Sequence, residues 1–269
     1  MMGYAAIIAA RFKALLQYRA AALGGLFTQI FFGLVRIMIL RAFYAASGHA
    51  PISLANVTGY VWLGQATLLL IPWRADEDVA EQIRTGTVVY ELTRPLDLWG
   101  AWFARSLAWR TAPVFLRMLP MFAIAMLIVP ALAPGWELAP PPSLAAFAMW
   151  LACFAGAVMV SAALTALINV TMMWTIAGDG MPMLIATFAT MFGGLVIPLP
   201  LFPDWLKPVL YALPFAGILD LPSRVFTGDL GVAQAGLVVA HQLAWTLVLA
   251  LSGRWLLARG LRRLVVQGG

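Results

Sequence analysis

The sequence predicts an all-α integral membrane protein with six transmembrane helices, an N-terminal interfacial helix and an outer re-entrant helical segment. Apolar residues make up 63% of the 269 residues, whereas soluble domains contain about 45–50%. Several apolar runs reach the roughly 20 helical residues that cross a hydrocarbon core of about 30 Å. Only 10% of the residues are charged, and they fall mainly between the runs. We therefore treat residues 1–269 as one membrane domain.

The apolar runs define the six predicted spans. They lie near residues 21–43, 52–73, 111–132, 144–168, 180–199 and 234–257. Residues 1–20 precede them and place Tyr4, Ile7 and Phe12 at helical spacing, with Lys13 on the other side. This pattern predicts an amphipathic helix that lies in the membrane interface.

The basic residues predict the orientation of these spans. Twelve of the 17 Lys and Arg residues fall on one side: Arg11, Lys13, Arg19, Arg74, Arg84, Arg94, Arg105, Arg110, Arg254, Arg259, Arg262 and Arg263. The other side has only Arg41, Lys207 and Arg224. Because cytoplasmic loops carry an excess of Lys and Arg, both termini are expected in the cytoplasm. We expect a multi-pass protein of the inner (plasma) membrane.

A compact polar island, residues 74–98, separates the second and third predicted spans. It holds six of the 11 acidic residues, namely Asp76, Glu77, Asp78, Glu81, Glu91 and Asp97. Acids near the start of 76–84 and Arg84 at its end complement a helix macrodipole, and Gly86 is suited to ending that helix. Such a helix suits docking into a cleft on a partner. A solvated connector, whose charges only keep it out of the lipid, explains the same residues equally well.

Residues 200–232 form a second unusual segment, which is apolar but interrupted by prolines. Its pieces of about 10–14 apolar residues are too short to span the membrane and suit interfacial or re-entrant helices. Backbone outside helices is tolerated at that depth only where protein or a wet cavity satisfies it. The segment is a candidate outer gate, with Pro198, Pro203 and Pro214 as candidate gate residues. The alternative is a surface hairpin outside the translocation path.

Few polar residues interrupt the predicted spans. Arg36 is expected to extend to the outer interface rather than contact a substrate. Arg117 either extends toward the inner interface or pairs with an acid on a neighbouring helix. Asp179 is expected to cap the fifth span, and Gln29 is expected to form an interhelical hydrogen bond.

The sequence lacks the residues of several other function classes. The loop G-x-x-x-x-G-K-[ST], which cradles nucleotide phosphates, does not occur, so ATP hydrolysis would need a separate subunit. His49 and His241 lack metal-ligand spacing, and Cys153 has no neighbouring base. The net charge of +6 comes from bases that flank apolar runs, which disfavours nucleic-acid binding.

Two stretches of sequence carry a family resemblance. IRTGTVVYELTRPLD lies in the polar island, and GGLVIPLPLFPDWLKPVLYALPF, followed by LPSRVFTGD, lies in the outer segment. With the predicted spans, they make the chain resemble permease subunits of the ABC-2 exporter family, the type V exporters. The resemblance implies a dimer of identical or homologous permeases that docks two ATPase subunits. ATP and Mg are expected on those partners, and no catalytic residue, cofactor or metal is expected on this chain.

The resemblance and the patterns above select three sets of candidate residues. The ATPase-docking set is Asp78, Glu81, Arg84, Gly86, Tyr90, Glu91, Arg94 and Pro95. The set for the translocation path or dimer seam is Gln29, Phe32, Arg36, Phe192, Gly193 and Gly194. The outer-gate set is Pro198, Pro203 and Pro214. Simple helix packing explains the glycines of the seam as well as a path does.

The expected function is export of a hydrophobic or amphipathic substrate, such as a drug-like compound, a peptide or a lipid. The sparse charge in the spans favours such cargo over a highly charged one. The direction of transport follows from the family resemblance. Two alternatives are an ion-coupled secondary transporter, which would need acids at the bilayer midplane, and an intramembrane lipid-modifying enzyme, which would need a polar catalytic cluster.

Overall fold

The computed structural model describes residues 2–17, 19–46, 51–93, 95–175 and 180–262. The α-helices are α1 (Met2–Leu15), α2 (Arg19–Ala46), α3 (Leu54–Ala66), α4 (Glu77–Arg84), α5 (Val88–Leu92), α6 (Leu98–Ala123), α7 (Val129–Leu132), α8 (Leu144–Thr171), α9 (Gly180–Phe192), α10 (Lys207–Ala212), α11 (Asp220–Thr227) and α12 (Val232–Leu261). A π-helical turn, Ile124–Ile128, joins α6 to α7. No β-strand occurs within the described ranges, so the predicted all-α class is confirmed.

Within these ranges, four helical stretches are long and apolar enough to cross a membrane. They are Ala20–Ala46, Leu98–Leu132, Leu144–Thr171 and Val232–Leu261, and they match the first, third, fourth and sixth predicted spans. The third was predicted to begin near residue 111, but α6 begins at Leu98. Asp97 caps this start because its carboxylate accepts a hydrogen bond from Gly100 N at 2.8 Å.

Helix α8 lies at the centre of the bundle. Its most apolar stretch is 72% buried, compared with 22–33% for the other three long helices. It packs against α6, α11 and α12. At the α8–α12 contact a Cβ on Gly156 would overlap the side chain of Gln242, so the small residue permits close approach. Close helix packing therefore builds the core.

The second and fifth predicted spans contain shorter helices than expected. α3 and α9 have 13 residues each, or about 20 Å at ~1.5 Å per residue. The continuous helix predicted at 52–73 instead ends at Ala66 and passes into a 3-10 turn at Leu68–Leu70. Ile71, which precedes Pro72, is extended and ends that turn, with φ −66° and ψ 131°. The helix predicted at 180–199 ends at Phe192 because Gly194 has a φ of +85°.

Short helices fill the outer connection between α9 and α12. A 3-10 turn at Leu199–Leu201 is followed by α10 and α11, and α11 ends at Gly228, which has a φ of +78°. At the other end of the molecule α1 packs against α6. There Tyr4 Oη accepts a hydrogen bond from Asp97 N at 3.1 Å. The N-terminal helix and the polar island are therefore in direct contact.

Candidate functional site

The polar island folds as two short helices, α4 and α5, joined by a turn. Asp76 caps α4 because its carboxylate accepts a hydrogen bond from Asp78 N at 3.1 Å. Glu77 and Asp78 occupy the first turn, where the helix dipole stabilises negative charge. α4 ends at Arg84, and Gly86 follows with a φ of +74°. The predicted helix and its glycine stop are confirmed.

The inner side of the α4–α5 element is apolar. Val79 on α4 and Val88 on α5 are fully buried. They belong to one cluster with Trp99 and Trp102 of α6 and Leu257 of α12. Burial of each of these side chains contributes about 1.5–3 kcal/mol. The element is therefore packed onto the membrane helices and is not a free loop.

Two arginines from other helices bind the start of α4. Arg105 of α6 donates from Nε to Asp76 Oδ2 at 3.1 Å and from Nη2 to Asp78 Oδ2 at 2.8 Å. Arg11 of α1 donates from Nη1 to Asp78 Oδ2 at 2.6 Å and from Nη2 to Asp76 Oδ1 at 3.3 Å. Asp76 N donates to Oδ1 of Asn169, on α8, at 2.9 Å. We call these five residues the anchor cluster; it ties α4 to α1, α6 and α8.

Electrostatics favours the charged form of the anchor cluster. Asp76 is only 3% exposed, and a buried carboxylate is tolerated when cations and hydrogen bonds satisfy it. The hydrogen bond from Arg11 is the main cause that lowers the pKa of Asp78, and Arg105 adds to it. Arg11 and Arg105 were predicted only to orient the spans, and no local pattern connects them to α4. In the sequence, only the two closely spaced carboxylates at positions 76 and 78 indicated this cluster.

The other side of the α4–α5 element is exposed. Glu81 and Arg84 form an ion pair at 2.6 Å, with 60% and 66% of their side chains exposed. Tyr90 is 72% exposed, and Pro95 is exposed beside the start of α6. We call Glu81, Arg84, Tyr90 and Pro95 the outward surface. It combines both signs of charge with an aromatic ring.

The remaining predicted docking residues occupy other positions. Asp78 is 56% exposed but belongs to the anchor cluster. Gly86 and Glu91 are half-buried, and Glu91 accepts a hydrogen bond from Gln82 Nε2 at 3.4 Å. Arg94 lies outside the described residues. Four of the eight predicted docking residues thus share the outward surface.

The predicted seam residues do not share one face of α2. Gln29 is 3% exposed and points into the helix bundle, whereas Phe32 is 53% exposed. The interhelical hydrogen bond expected of Gln29 is wrong, because its buried amide has no hydrogen-bond partner among the described residues. Arg36 is half-buried and donates from Nη1 to the carbonyl oxygen of Leu195. This hydrogen bond places the guanidinium of Arg36 beside the chain that follows α9, toward the connection between α9 and α12. Arg117 lies against Gly25 of α2.

On α9 the other seam residues turn toward the protomer. Phe192 is half-buried and stacks on Phe188 with ring centroids 5.6 Å apart. Gly193 and Gly194 are buried at the end of the helix. The predicted cap of this helix, Asp179, lies outside the described residues.

A second polar cluster fixes the outer connection. Asp220 at the start of α11 is fully buried; its Oδ1 lies 2.8 Å from Tyr60 Oη and accepts a hydrogen bond from Leu199 N at 3.1 Å. Tyr60 Oη also lies 3.0 Å from the carbonyl oxygen of Gly194. Burial raises the pKa of Asp220 to about 6, opposed by the nearby charge of Arg224. This cluster joins α3, α11 and the end of α9.

The predicted gate prolines lie at the edges of this outer cluster. Pro198 and Pro214 are buried, and Pro203 is exposed. Pro198, with Arg36 and Tyr60, borders a cavity of about 10 Å³, roughly the space that one water needs. In this conformation the outer end of the protomer is therefore closely packed around these residues.

A family model described as an ABC-2 family transporter protein matches residues 26–268. Because the match covers most of the sequence, the chain belongs to the ABC-2 family of transporters. With its long apolar helices, the chain is a multi-pass membrane protein of the ABC transporter type. Neither the curated proteins nor the solved structures contain a match.

Proposed function

We propose that the chain is the transmembrane permease subunit of an ABC exporter and forms the path for a hydrophobic or amphipathic substrate. Separate ATPase subunits, which would bind ATP and Mg, supply the energy. The observation that carries the proposal is the two-sided α4–α5 element. Its outward surface is open to a partner, and its start is fixed through Asp76 and Asp78 to α1, α6 and α8. A movement of the partner would therefore reach the membrane helices through ion pairs.

We extend the proposal to six spans, with α3 and α9 as the short second and fifth spans. The support is that protein groups satisfy the backbone where each helix breaks, as the membrane interior requires. Beyond α3, Arg110 Nη1 donates to the carbonyl oxygens of Leu69 and Ile71 at 2.9 Å, and Ser161 Oγ donates to that of Leu70. Beyond α9, Tyr60 and Arg36 approach the carbonyl oxygens of residues 194 and 195.

In the proposed orientation, the chain crosses the inner membrane with both termini and the α4–α5 element in the cytoplasm. The excess of Lys and Arg on that side supports it. The outer connection, with α10 and α11, then forms a re-entrant cap. Its buried Asp220 and exposed Trp205 suit a segment that lies between protein and membrane surface.

We propose that two identical or homologous protomers form the path. The exposed faces of α2 and α9 support a seam along the first and fifth spans. On α2, Phe27, Phe31 and Phe32 are 75%, 55% and 53% exposed, and on α9 Met183 is 73% exposed. Such aromatic and sulfur-containing surfaces favour apolar or amphipathic cargo.

The alternative of an ion-coupled carrier has less support. None of the six proposed spans contains Asp or Glu, although coupling ions usually need acids near the midplane. ATP-dependent uptake of a hydrophobic dye into inside-out vesicles tests the difference. Uptake that needs ATP and the ATPase subunit supports the exporter, whereas uptake driven by an ion gradient alone supports a carrier.

Copurification of the ATPase tests the docking surface. We expect Glu81→Lys and Arg84→Glu each to weaken recovery of the ATPase with the permease. The double variant, Glu81→Arg with Arg84→Glu, restores an intrahelical ion pair but reverses the surface pattern, so recovery should remain weak. Asp204→Lys is a matched control, because Asp204 forms an outer i,i+3 pair with Lys207 at 2.8 Å. If the double variant restored recovery of the ATPase, Glu81 and Arg84 would contribute only to the stability of α4.

A further inference from the structure

Arg110 carries a buried charge that no carboxylate in the described ranges neutralises through an ion pair. The residue is only 5% exposed. Its Nη1 donates to Leu69 O and Ile71 O, and its Nε and Nη2 both donate to Thr165 Oγ1, at 3.1 and 2.9 Å. A guanidinium group has five N–H donors, so one N–H of Nη2 has no partner among these contacts. The carbonyl groups orient Arg110, but its full positive charge still favours an anion nearby.

A cavity of about 250 Å³ borders Arg110. It is lined by Leu69, Trp73, Arg74, Trp109, Arg110 and Pro113. A single water needs only about 10–15 Å³, so the cavity holds a larger group. The cavity opens at the surface of the protomer, because Trp73 is 42% exposed and the side chain of Arg74 is 75% exposed.

The lining combines two guanidinium groups with two indole rings. The planar guanidinium of arginine can donate two parallel hydrogen bonds to phosphate oxygens, which a compact charge such as an ammonium group does not provide. Arg74 is only weakly engaged elsewhere in the described ranges, since its one ion pair there, with Glu77, is at 3.8 Å and exposed. Leu69 and Pro113 add apolar walls. The cavity thus suits a phosphate that is attached to an apolar group.

The sequence predicts that the cavity lies at the membrane boundary. The apolar run 111–132 begins directly after Arg110 and, at about 1.5 Å per residue, is long enough to cross the hydrocarbon core. Trp73 and Trp109 occupy the interfacial position that tryptophan favours. The assignment of this site to the cytoplasmic leaflet rests on the proposed orientation. The existence of the site does not depend on that orientation.

We propose that this cavity binds the phosphate headgroup of an acidic phospholipid from the cytoplasmic leaflet. Arg110 and Arg74 hold the phosphate oxygens, and the indoles of Trp73 and Trp109 cover the glycerol region. Basic pockets between membrane helices on the cytoplasmic side are suited to anionic headgroups. The phosphate of the bound lipid neutralises the positive charge of Arg110. The lipid also packs against the break in the chain beyond α3.

Native mass spectrometry of the full chain, titrated with phosphatidylglycerol or phosphatidylcholine, tests the proposal. We expect phosphatidylglycerol to bind more tightly, and Arg74→Gln to weaken its binding about fivefold, as expected for one basic residue near an anionic headgroup. Arg110→Met should remove the preference between the two lipids. Arg41→Gln is the matched control, because Arg41 also lies beside a tryptophan, 5.4 Å from the Trp136 ring, at the other end of the molecule.

Arg74→Gln keeps the test valid if Arg110→Met does not fold, because the side chain of Arg74 is 75% exposed. Equal binding of the two lipids to the unchanged protein would overturn the proposal. An equal effect of Arg74→Gln and Arg41→Gln would also overturn it, because the preference would then follow net charge. Inorganic phosphate is the third probe. If it displaces phosphatidylglycerol at equal concentration, the site takes soluble phosphate and the lipid assignment is wrong.

Discussion

Arg105 Nε donates a hydrogen bond at 3.1 Å to Oδ2 of Asp76, a carboxylate that is only 3% exposed. This contact links α6, a long apolar helix, to the residue that caps α4. Because the carboxylate also accepts from Arg11 and from the backbone of α4, its position is fixed from three directions. The contact makes α4 part of the rigid body of the protomer.

Asp76→Asn should strongly destabilise the protein. Removal of one partner from a buried ion pair typically costs about 3–5 kcal/mol, because the remaining charge is left unpaired. Arg254→Gln removes an exposed partner of Asp97, at 3.3 Å, and should cost less than about 1 kcal/mol. Thermal unfolding of the two variants in detergent measures the difference. Equal unfolding temperatures would show that the anchor cluster contributes no more than a surface pair.

Acid should weaken the anchor cluster. The pKa of Asp78 is lowered by Arg11, so its contribution to stability is present above the ordinary pKa of about 3.9 and is lost as the pH falls through the lowered value. Asp78→Asn should therefore reduce the unfolding temperature at pH 7, and this reduction should shrink steadily as the pH falls below about 4. A constant difference between the variants at all pH values would exclude this linkage.

Asp220 should respond to pH in the opposite direction. Burial raises its pKa to about 6, so the folded state favours the protonated form. Stability is greatest below the ordinary pKa and declines as the pH rises toward 6. Asp220→Asn should unfold at a higher temperature than the unchanged protein at pH 8, and at a similar temperature at pH 4. A lower unfolding temperature for the variant at pH 8 would mean that the ion pair with Arg224, at 3.8 Å, outweighs burial.

Two glycines of α12 should respond differently to alanine. A Cβ on Gly253 would overlap the indole of Trp99, whereas nothing lies within 4 Å of a Cβ on Gly236. Gly253→Ala should cost about 1–3 kcal/mol through overpacking. Gly236→Ala should be neutral or stabilise by up to about 1 kcal/mol. Thermal unfolding checks both, and a neutral Gly253→Ala would show that α6 and α12 separate easily.

Local sequence patterns predicted α4 well. The features that depend on long-range contacts were predicted less well. The acids, Arg84 and Gly86 defined a short helix from sequence alone. The start of α6 was missed because Arg105 and Arg110 looked like loop charges, although Arg105 binds Asp76 and Arg110 donates to backbone carbonyl groups inside the fold. Hydropathy is continuous through the break after α3, so only Pro72 signalled it.

The candidate seam was harder to predict because sequence does not define which face of α2 turns outward. Gln29 is buried, whereas Phe27 and Phe31 are exposed. If α2 forms the seam, cysteines at Phe27 and Phe31 should crosslink two protomers, and a cysteine at Gln29 should not. Cys153 is fully buried and should give little background. Crosslinking at Gln29 alone would require a different rotation of α2.

The most direct test of the central claim is a photoreactive amino acid at position 90, in cells that express the complete transporter. We predict that ultraviolet light links position 90 to an ABC ATPase subunit, because Tyr90 lies on the outward surface and is 72% exposed. The same amino acid at Trp205, which is 76% exposed in the outer connection, should give no ATPase adduct. An ATPase adduct from position 205 but not from position 90 would contradict the proposed dock and orientation together.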